Sequence, residues 1–162
     1  MICNDMEPGS HQLGDTDQLV LRSKLSDMER LSPWIDGIAS TFGLEDRLRF
    51  AIRLCLEEAV SNVIRHGYAN KEGELITVHC AECGDDQIVF TVEDDAAPFN
   101  PFEVAELPGI GSQDTEQSGG QGIRLLRGFA DTLEYEPKPG GNRLRIGFCI
   151  TAPSLSNRGT PN

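Results

Sequence analysis

Hydrophobic residues alternate with polar residues in several short stretches, a pattern typical of strands that bury one face. The alternation predicts a first strand over residues 18–25 and two hairpins further along the chain. One hairpin joins Leu75–Cys83 to Gln87–Asp94, and the other joins Thr132–Glu136 to Arg143–Ile150. Because the two strands of a hairpin run in opposite directions, the sequence predicts a mostly antiparallel sheet.

Apolar residues spaced three and four apart predict three helices. The first opens at a capping box formed by Ser26 and Glu29 and runs towards Phe42. The second is the longest and ends at Gly67, a residue suited to a left-handed C-terminal cap. The third is expected over residues 120–130, between the two hairpins.

The order of these elements indicates the fold class. Strands and helices fall into separate groups, so we predict an α+β two-layer sandwich with a mixed, mostly antiparallel sheet and helices on one face. One folded domain is expected over residues 17–150. The polar, turn-forming segments at residues 1–16 and 151–162 are expected to be flexible.

Charge and composition exclude some classes of function. The 162 residues include 26 acidic and 14 basic side chains, which give a formal net charge of −12 at pH 7. Such a surface repels nucleic-acid phosphates and anionic lipids, so we expect no direct nucleic-acid or membrane binding. No apolar stretch approaches the roughly 20 residues that span a bilayer, and no secretion signal is recognisable. We therefore expect a cytoplasmic protein.

Three polar residues interrupt the apolar character of the long helix. Glu58, Asn62 and His66 are four positions apart, and each interval turns the helix by about 40° and advances it by about 6 Å. All three should share one helical face. A carboxylate and a carboxamide one turn apart suit proton transfer and Mg²⁺ ligation. The alternative is a core helix whose Asn is satisfied locally and whose His ends the last turn.

Asp94 continues a series of inward-facing residues at the end of a predicted strand. Ile88, Phe90 and Val92 alternate towards the core, so alternation directs the Asp94 carboxylate to the same side. A buried carboxylate needs a hydrogen-bond donor, and the exocyclic amine and ring edge of adenine could supply one, directly and through water. An ordinary turn aspartate next to Asp95 is the alternative.

A long connection separates Asp94 from the third predicted helix. Residues 102–118 show little periodicity, and their length is uncommon for a passive loop, so we predict a lid. Residues 119–123 then open an apolar helix with the sequence Gly-Gly-Gln-Gly-Ile, whose backbone N–H groups could receive an anion. The segment lacks the Lys-Ser/Thr of a P-loop.

Four motifs occur in a fixed order: E-x-x-x-N-x-x-x-H-G-Y, D-D-x-x-P-F-N-P, G-G-Q-G-I and G-G-N-R-L-R. Together they resemble the GHKL superfamily of ATPases and kinases, and most closely its bacterial anti-sigma factor serine/threonine kinases. The similarity spans residues 17–150. It implies a Bergerat-type fold, like that of histidine-kinase ATPase domains, which binds ATP with Mg²⁺ between helices and sheet.

The resemblance also implies a role for each matching residue. Glu58 matches the general base that takes a proton from a protein hydroxyl, and Asn62 matches the Mg²⁺ ligand. The other residues expected at the nucleotide are His66 at the helix end, Asp94 at adenine, Pro98 and Phe99 after it, and Gly120, Gly122 and Ile123 at the phosphates.

The activity implied is that of a partner-switching protein. It would phosphorylate an anti-anti-sigma protein of the STAS type and, in the opposite state, sequester a sigma factor. The resemblance implies a homodimer as well. One departure leaves two interpretations open: the family's D-x-G-x-G motif has glycines where this chain has Ala96 and Pro98, and the Pro-Phe-Asn-Pro sequence is either a rigid substitute for the glycine turn or a sign of weaker nucleotide binding.

Two alternatives follow within the same fold. The first is a sequestering module with weak or absent catalysis, since proline removes a backbone donor from the nucleotide-binding segment. The second is the catalytic domain of a histidine kinase, which ranks lowest because no helical hairpin carries a phosphoacceptor histidine. His11 lies in a polar, glycine-containing stretch.

Overall fold

One five-stranded sheet forms the centre of the protein. The computed structural model describes residues 18–83, 86–104 and 120–150. The strands are β1 (Gln18–Arg22), β2 (Leu75–Cys83), β3 (Gln87–Asp94), β4 (Thr132–Lys138) and β5 (Gly141–Cys149). They lie in the order β1-β2-β3-β5-β4, and every neighbouring pair is antiparallel. The α+β class is confirmed, although the described sheet is wholly antiparallel where we expected a mixed one.

The helices pack on one face of this sheet. They are a 3₁₀ helix (Leu25–Arg30), α1 (Leu31–Phe42), α2 (Asp46–Asn62) with a π-helical turn (Val63–Gly67), α3 (Pro101–Val104) and α4 (Gly120–Phe129). Their buried side chains meet the inward-facing residues of the strands in one core. No described helix has the length and apolar character needed to cross a bilayer.

The predicted capping box at Ser26 and Glu29 is wrong. Both residues lie inside the 3₁₀ helix, which has no side-chain cap. Asp27 makes the side-chain contact in this region: its Oδ2 accepts a 2.7 Å hydrogen bond from the backbone N–H of Arg22. Helix α1 then begins at Leu31, which places Pro33 in the first turn, where a missing N–H costs little.

The predicted left-handed cap at Gly67 is also wrong. The chain continues from α2 through the π-helical turn, and positive φ angles occur later, at Ala69 (49°) and Asn70 (63°). Gly67 is needed for space, since a Cβ built there would lie 3.1 Å from the Ala96 Cβ. In contrast, Gly43 does cap α1 with a φ of 61°.

The strands of the second hairpin are longer than the sequence predicts. β4 continues through Pro137 to Lys138, and β5 begins at Gly141. Proline is tolerated because β4 is an edge strand, where one missing backbone donor disrupts no second neighbour. This extension places Asn142 in the ladder directly opposite Asp94.

Candidate functional site

A small cavity lies between α2 and the sheet. Its helical wall includes Asn62 and Gly67, and its sheet wall includes Asp94 and Asn142. Phe99 and Tyr135 complete its rim. The cavity measures about 40 Å³, room for about three water molecules. The fold therefore joins Asn62 and Asp94, two predicted site residues from different elements, through one space.

Asp94 is a buried carboxylate, as alternation predicted. Its side chain is 5% exposed, and its Oδ1 accepts hydrogen bonds from the Ala96 N–H (2.9 Å) and the Asn142 amide (2.8 Å). No hydrogen bond to Oδ2 is made by the part of the chain that the structure describes. Burial raises the pKa of this carboxyl, while the hydrogen bonds from Asn142 and Ala96 oppose the rise. The second oxygen can accept a donor from the cavity.

Asn142 is the residue that sequence reasoning missed. Its Nδ2 donates to Asp94 and, at 3.2 Å, to the Ala97 carbonyl. Its Oδ1 accepts from the Phe99 N–H (2.9 Å) and the Tyr135 hydroxyl (2.8 Å). One buried amide thus fixes the carboxylate, the rim segment and the rim tyrosine together. The G-G-N-R-L-R motif contains this residue, but the sequence pattern predicts a turn at Asn142.

Phe99 and His66 meet at the edge of the cavity. Their rings stack with centroids 6.0 Å apart and planes 23° apart. Phe99 lines the cavity. His66 is exposed, does not line the cavity, and contacts its wall by stacking on Phe99. Pro98 is exposed and does not line the cavity. His66 does not share the helical face of Glu58 and Asn62, because the π-helical turn changes the rotation per residue around the helix axis.

The two residues that replace family glycines adopt ordinary backbone conformations. Neither Ala96 nor Pro98 has a positive φ. The Ala96 N–H is used by Asp94, and its methyl group occupies space beside Gly67. Pro98 is exposed, so the backbone N–H that proline lacks is missing at the surface and not in the core. The segment therefore holds Asp94 and Asn142 without the glycines.

Glu58 and Asn62 both face the first turn of α4. A Cβ built on Gly122 would lie 2.5 Å from the Glu58 Oε2 and 3.4 Å from the Asn62 Nδ2. Only glycine leaves room for this approach. Ile123 is buried beneath the same turn, and Gly120 is the first residue of the helix. The predicted lid lies largely outside the described residues, as does Gly119.

Neither a nucleophilic thiol nor a preformed metal cluster accompanies these residues. Burial raises the pKa of the Cys55 thiol to about 12, with a further contribution from the Glu58 carboxylate, so this thiol stays protonated. No group of three His, Cys, Asp or Glu side chains suited to a metal ion occurs in the described ranges. A divalent ion at Asn62 would therefore need ligands from elsewhere, such as phosphate oxygens.

Comparison with known families gives one match that covers most of the chain. Residues 21–148 match the family described as histidine kinase-like ATPase domain. The serine/threonine-protein kinase BtrW of Bordetella bronchiseptica is 29% identical over 113 residues, which cover 70% of this chain and 79% of that protein. An anti-sigma F factor of Thermoanaerobacter is 34% identical over 115 residues, covering 71% of each chain. An anti-sigma F factor of Clostridium perfringens is 32% identical, and the match spans 66% of its length.

Solved structures show the same fold. The crystal structure of RsbU and RsbW domains from Mycobacterium tuberculosis superimposes with a TM-score of 0.59 at 16% identity. The match covers 84% of this chain and 33% of that chain. A blue-light activated histidine kinase of Erythrobacter litoralis matches with a TM-score of 0.52 at 18% identity, covering 74% of this chain and 42% of that chain.

Proposed function

The chain belongs to the histidine kinase-like ATPase domain family, and we propose on that basis that it is an ATP-dependent serine/threonine protein kinase of a partner-switching system. The observation that carries this proposal is the meeting of four predicted site residues from three elements of the fold. Asn62 and Asp94 line one cavity, and Glu58 lies against the glycine turn of α4. The residues proposed to bind adenine, Mg²⁺ and the phosphates are thereby adjacent.

Asp94 suits the recognition of adenine. Its Oδ1 is occupied by Ala96 and Asn142, which leaves Oδ2 for the exocyclic amine. Phe99 forms part of the cavity wall, and its ring stacks on the exposed His66.

The first turn of α4 suits the phosphates. Its backbone N–H groups and positive dipole end favour an anion, and Gly122 presents no side chain in the way. The amide oxygen of Asn62 would hold Mg²⁺ together with phosphate oxygens. The bound ion would neutralise charge on the transferring phosphoryl group.

Glu58 would act as general base for the transfer. Its carboxylate takes the proton of a serine or threonine hydroxyl as that oxygen bonds to the γ-phosphorus. The bond from the γ-phosphorus to the bridging oxygen breaks, and ADP leaves with the electron pair. Such a reaction depends on positioning more than on reactive side chains, which agrees with a site of few functional groups.

The names of the relatives support a proposal for the partners. We propose that the chain phosphorylates a STAS-type anti-anti-sigma protein, sequesters a sigma factor, and acts in the cytoplasm as a homodimer. Relatives named anti-sigma F factor and serine/threonine-protein kinase support the first two of these roles. Sedimentation of the purified chain tests the dimer.

The decisive experiment combines the chain with ATP, Mg²⁺ and a candidate STAS-domain protein, followed by mass analysis of that protein. A gain of one phosphate on Ser or Thr is expected. The Glu58→Gln variant should bind ATP as the wild type does but transfer no phosphate. ATP binding without transfer by the wild type would instead identify the sequestering module, and absence of both would contradict the proposal.

A further inference from the structure

Two aromatic side chains remain exposed beside each other on the helical layer. Phe50 of α2 is 56% exposed and Phe129 of α4 is 44% exposed, although their rings make an edge-to-face contact at 6.4 Å. The other large exposed hydrophobic residues in the described ranges are the aliphatic Val20, Leu25 and Leu75. An adjacent aromatic pair on the surface is a frequent feature of protein-binding sites.

The aromatic pair belongs to a longer apolar surface along the two helices. Leu54 lies one turn after Phe50 on α2, and Leu125 lies one turn before Phe129 on α4. Both leucines are half-buried. We refer to Phe50, Leu54, Leu125 and Phe129 as the apolar seam.

The apolar seam leads to the proposed general base. Helices α2 and α4 run in opposite directions, since Gly122 lies against Glu58 while Phe129 lies against Phe50. Phe50 precedes Glu58 by eight residues, which is about 12 Å along the helix axis. About four extended residues of an acceptor protein would therefore span the distance from Phe50 to the proposed catalytic carboxylate, and Leu54 lies between the two.

Any folded protein that delivers a hydroxyl to Glu58 must cover the surface around it. A stable interface buries about 800 Å² on each partner, a patch whose radius of about 16 Å exceeds the distance to Phe50. Aromatic residues near the centre of such a patch usually contribute most of the binding energy. The position of the seam thus matches that expected of an anchor for the phosphate acceptor.

We propose that the apolar seam docks the protein that receives the phosphate. This inference rests on the proposed kinase function and deepens it by locating the recognition surface. The acceptor would place an apolar side chain between Phe50 and Phe129 while its hydroxyl reaches Glu58. Arg47, one turn before Phe50, is exposed and forms no ion pair with the described residues, so it can receive a carboxylate of the acceptor.

The test uses the full chain with ATP, Mg²⁺ and a candidate STAS-domain protein as the probe. In the double variant Phe50→Ala/Phe129→Ala and in Phe50→Asp, KM for the STAS protein should rise about tenfold or more. The kcat and the Kd for ATP should remain within about twofold, because the seam lies outside the nucleotide cavity. Leu25→Ala and Leu25→Asp are matched controls, since Leu25 is 54% exposed and lies outside the seam.

Each outcome bears on a different claim. An unchanged KM in both Phe50 variants overturns the docking proposal, and so does a change in oligomeric state without a change in KM, which would identify a self-association surface. If the wild type binds ATP without transfer, the kinase function fails, and calorimetric affinity for the STAS protein decides docking: weaker binding by the variants supports it, and equal binding overturns it. Absence of any binding by the wild type overturns both.

Discussion

The amide of Asn142 holds the carboxylate of Asp94 by a 2.8 Å hydrogen bond across the paired strands β3 and β5. The two residues are 48 positions apart in the chain. The same amide accepts hydrogen bonds from Phe99 and Tyr135. One side chain therefore connects the Asp94 carboxylate to the rim of the cavity, and a ligand bound at Asp94 would act on both.

Replacing Asn142 should damage both stability and nucleotide binding. Asn142→Ala removes the donor to a buried carboxylate and the acceptor for two rim groups, at a cost of about 1–3 kcal/mol in the free energy of unfolding. Affinity for ATP should fall because Asp94 loses its fixed orientation. Urea denaturation and calorimetry with ATP measure the two effects. Asn100→Ala, which removes a more exposed Asn with local contacts, is the control, and equal behaviour of the two variants would contradict the role of Asn142.

The pKa of Asp94 gives a pH-dependent prediction. Burial raises this pKa above its unfolded value, so the neutral carboxyl stabilises the fold at low pH, and that contribution is lost as the pH rises through the folded-state pKa. At pH 7 the buried charge is a cost. Asp94→Asn retains an oxygen that accepts from Ala96 and Asn142 but carries no charge. Its free energy of unfolding should exceed that of the wild type at pH 7, and the difference should shrink towards about pH 4.

The same Asp94→Asn variant should lose affinity for ATP. If the new amide nitrogen faces the cavity, it is a hydrogen-bond donor that would meet the exocyclic amine of adenine, which is also a donor. The Kd for ATP should therefore rise about tenfold or more. Denaturation at several pH values and calorimetry separate the two effects. The exposed neighbour Asp95 provides the control variant Asp95→Asn. A variant of Asp94 that is unstable at pH 7 or binds ATP normally would contradict the assignment.

Gly122 should matter for transfer more than for folding. A methyl group in Gly122→Ala would displace the Glu58 Oε2, which is the end of a flexible side chain and can move at little cost. Alanine also favours the helix by about 1 kcal/mol over glycine, so stability should be unchanged or higher. Phosphate transfer should fall about tenfold or more as the base loses its position. Gly128→Ala in the same helix meets no neighbour within 4 Å and should keep full transfer.

Gly67 and Ala96 should behave as a coupled pair. Gly67→Ala would bring two methyl groups within 3.1 Å and press on the segment that binds Asp94 and Asn142. We expect a loss of about 1–2 kcal/mol, the range for overpacking. The double variant Gly67→Ala/Ala96→Gly should recover most of that loss. Denaturation of the four proteins in this cycle gives the coupling energy, and strict additivity would rule out the contact.

The local pattern of apolar and polar residues was sufficient to predict the central strands of the sheet. The bounds of β2 and β3 agree with the prediction, and the inward direction of Asp94 followed from simple alternation. Helix α4 also begins where the glycine-rich turn predicted it. Each of these features depends on residues within one element, and neighbouring residues along the chain carry that information.

Features that depend on distant residues were not predictable in this way. Asn142 looks like a turn residue because Pro139 and Gly140 precede it, and only the pairing with β3 gives it a role. The space beside Gly67 is set by Ala96, which belongs to another element. The π-helical turn likewise redirects His66 towards Phe99 in a way that regular helical spacing does not anticipate.

The wall of the cavity has a consequence for biosynthesis. It draws on residues from Ala59 in α2 to Leu144 in β5. A growing polypeptide that has emerged from the ribosome only as far as β3 carries Asp94, the carboxylate proposed to bind adenine, but none of the strand that orients it. Because domains fold largely as units during synthesis, nascent chains short of β5 should be unable to capture nucleotide, and ATP can stabilise only the finished domain.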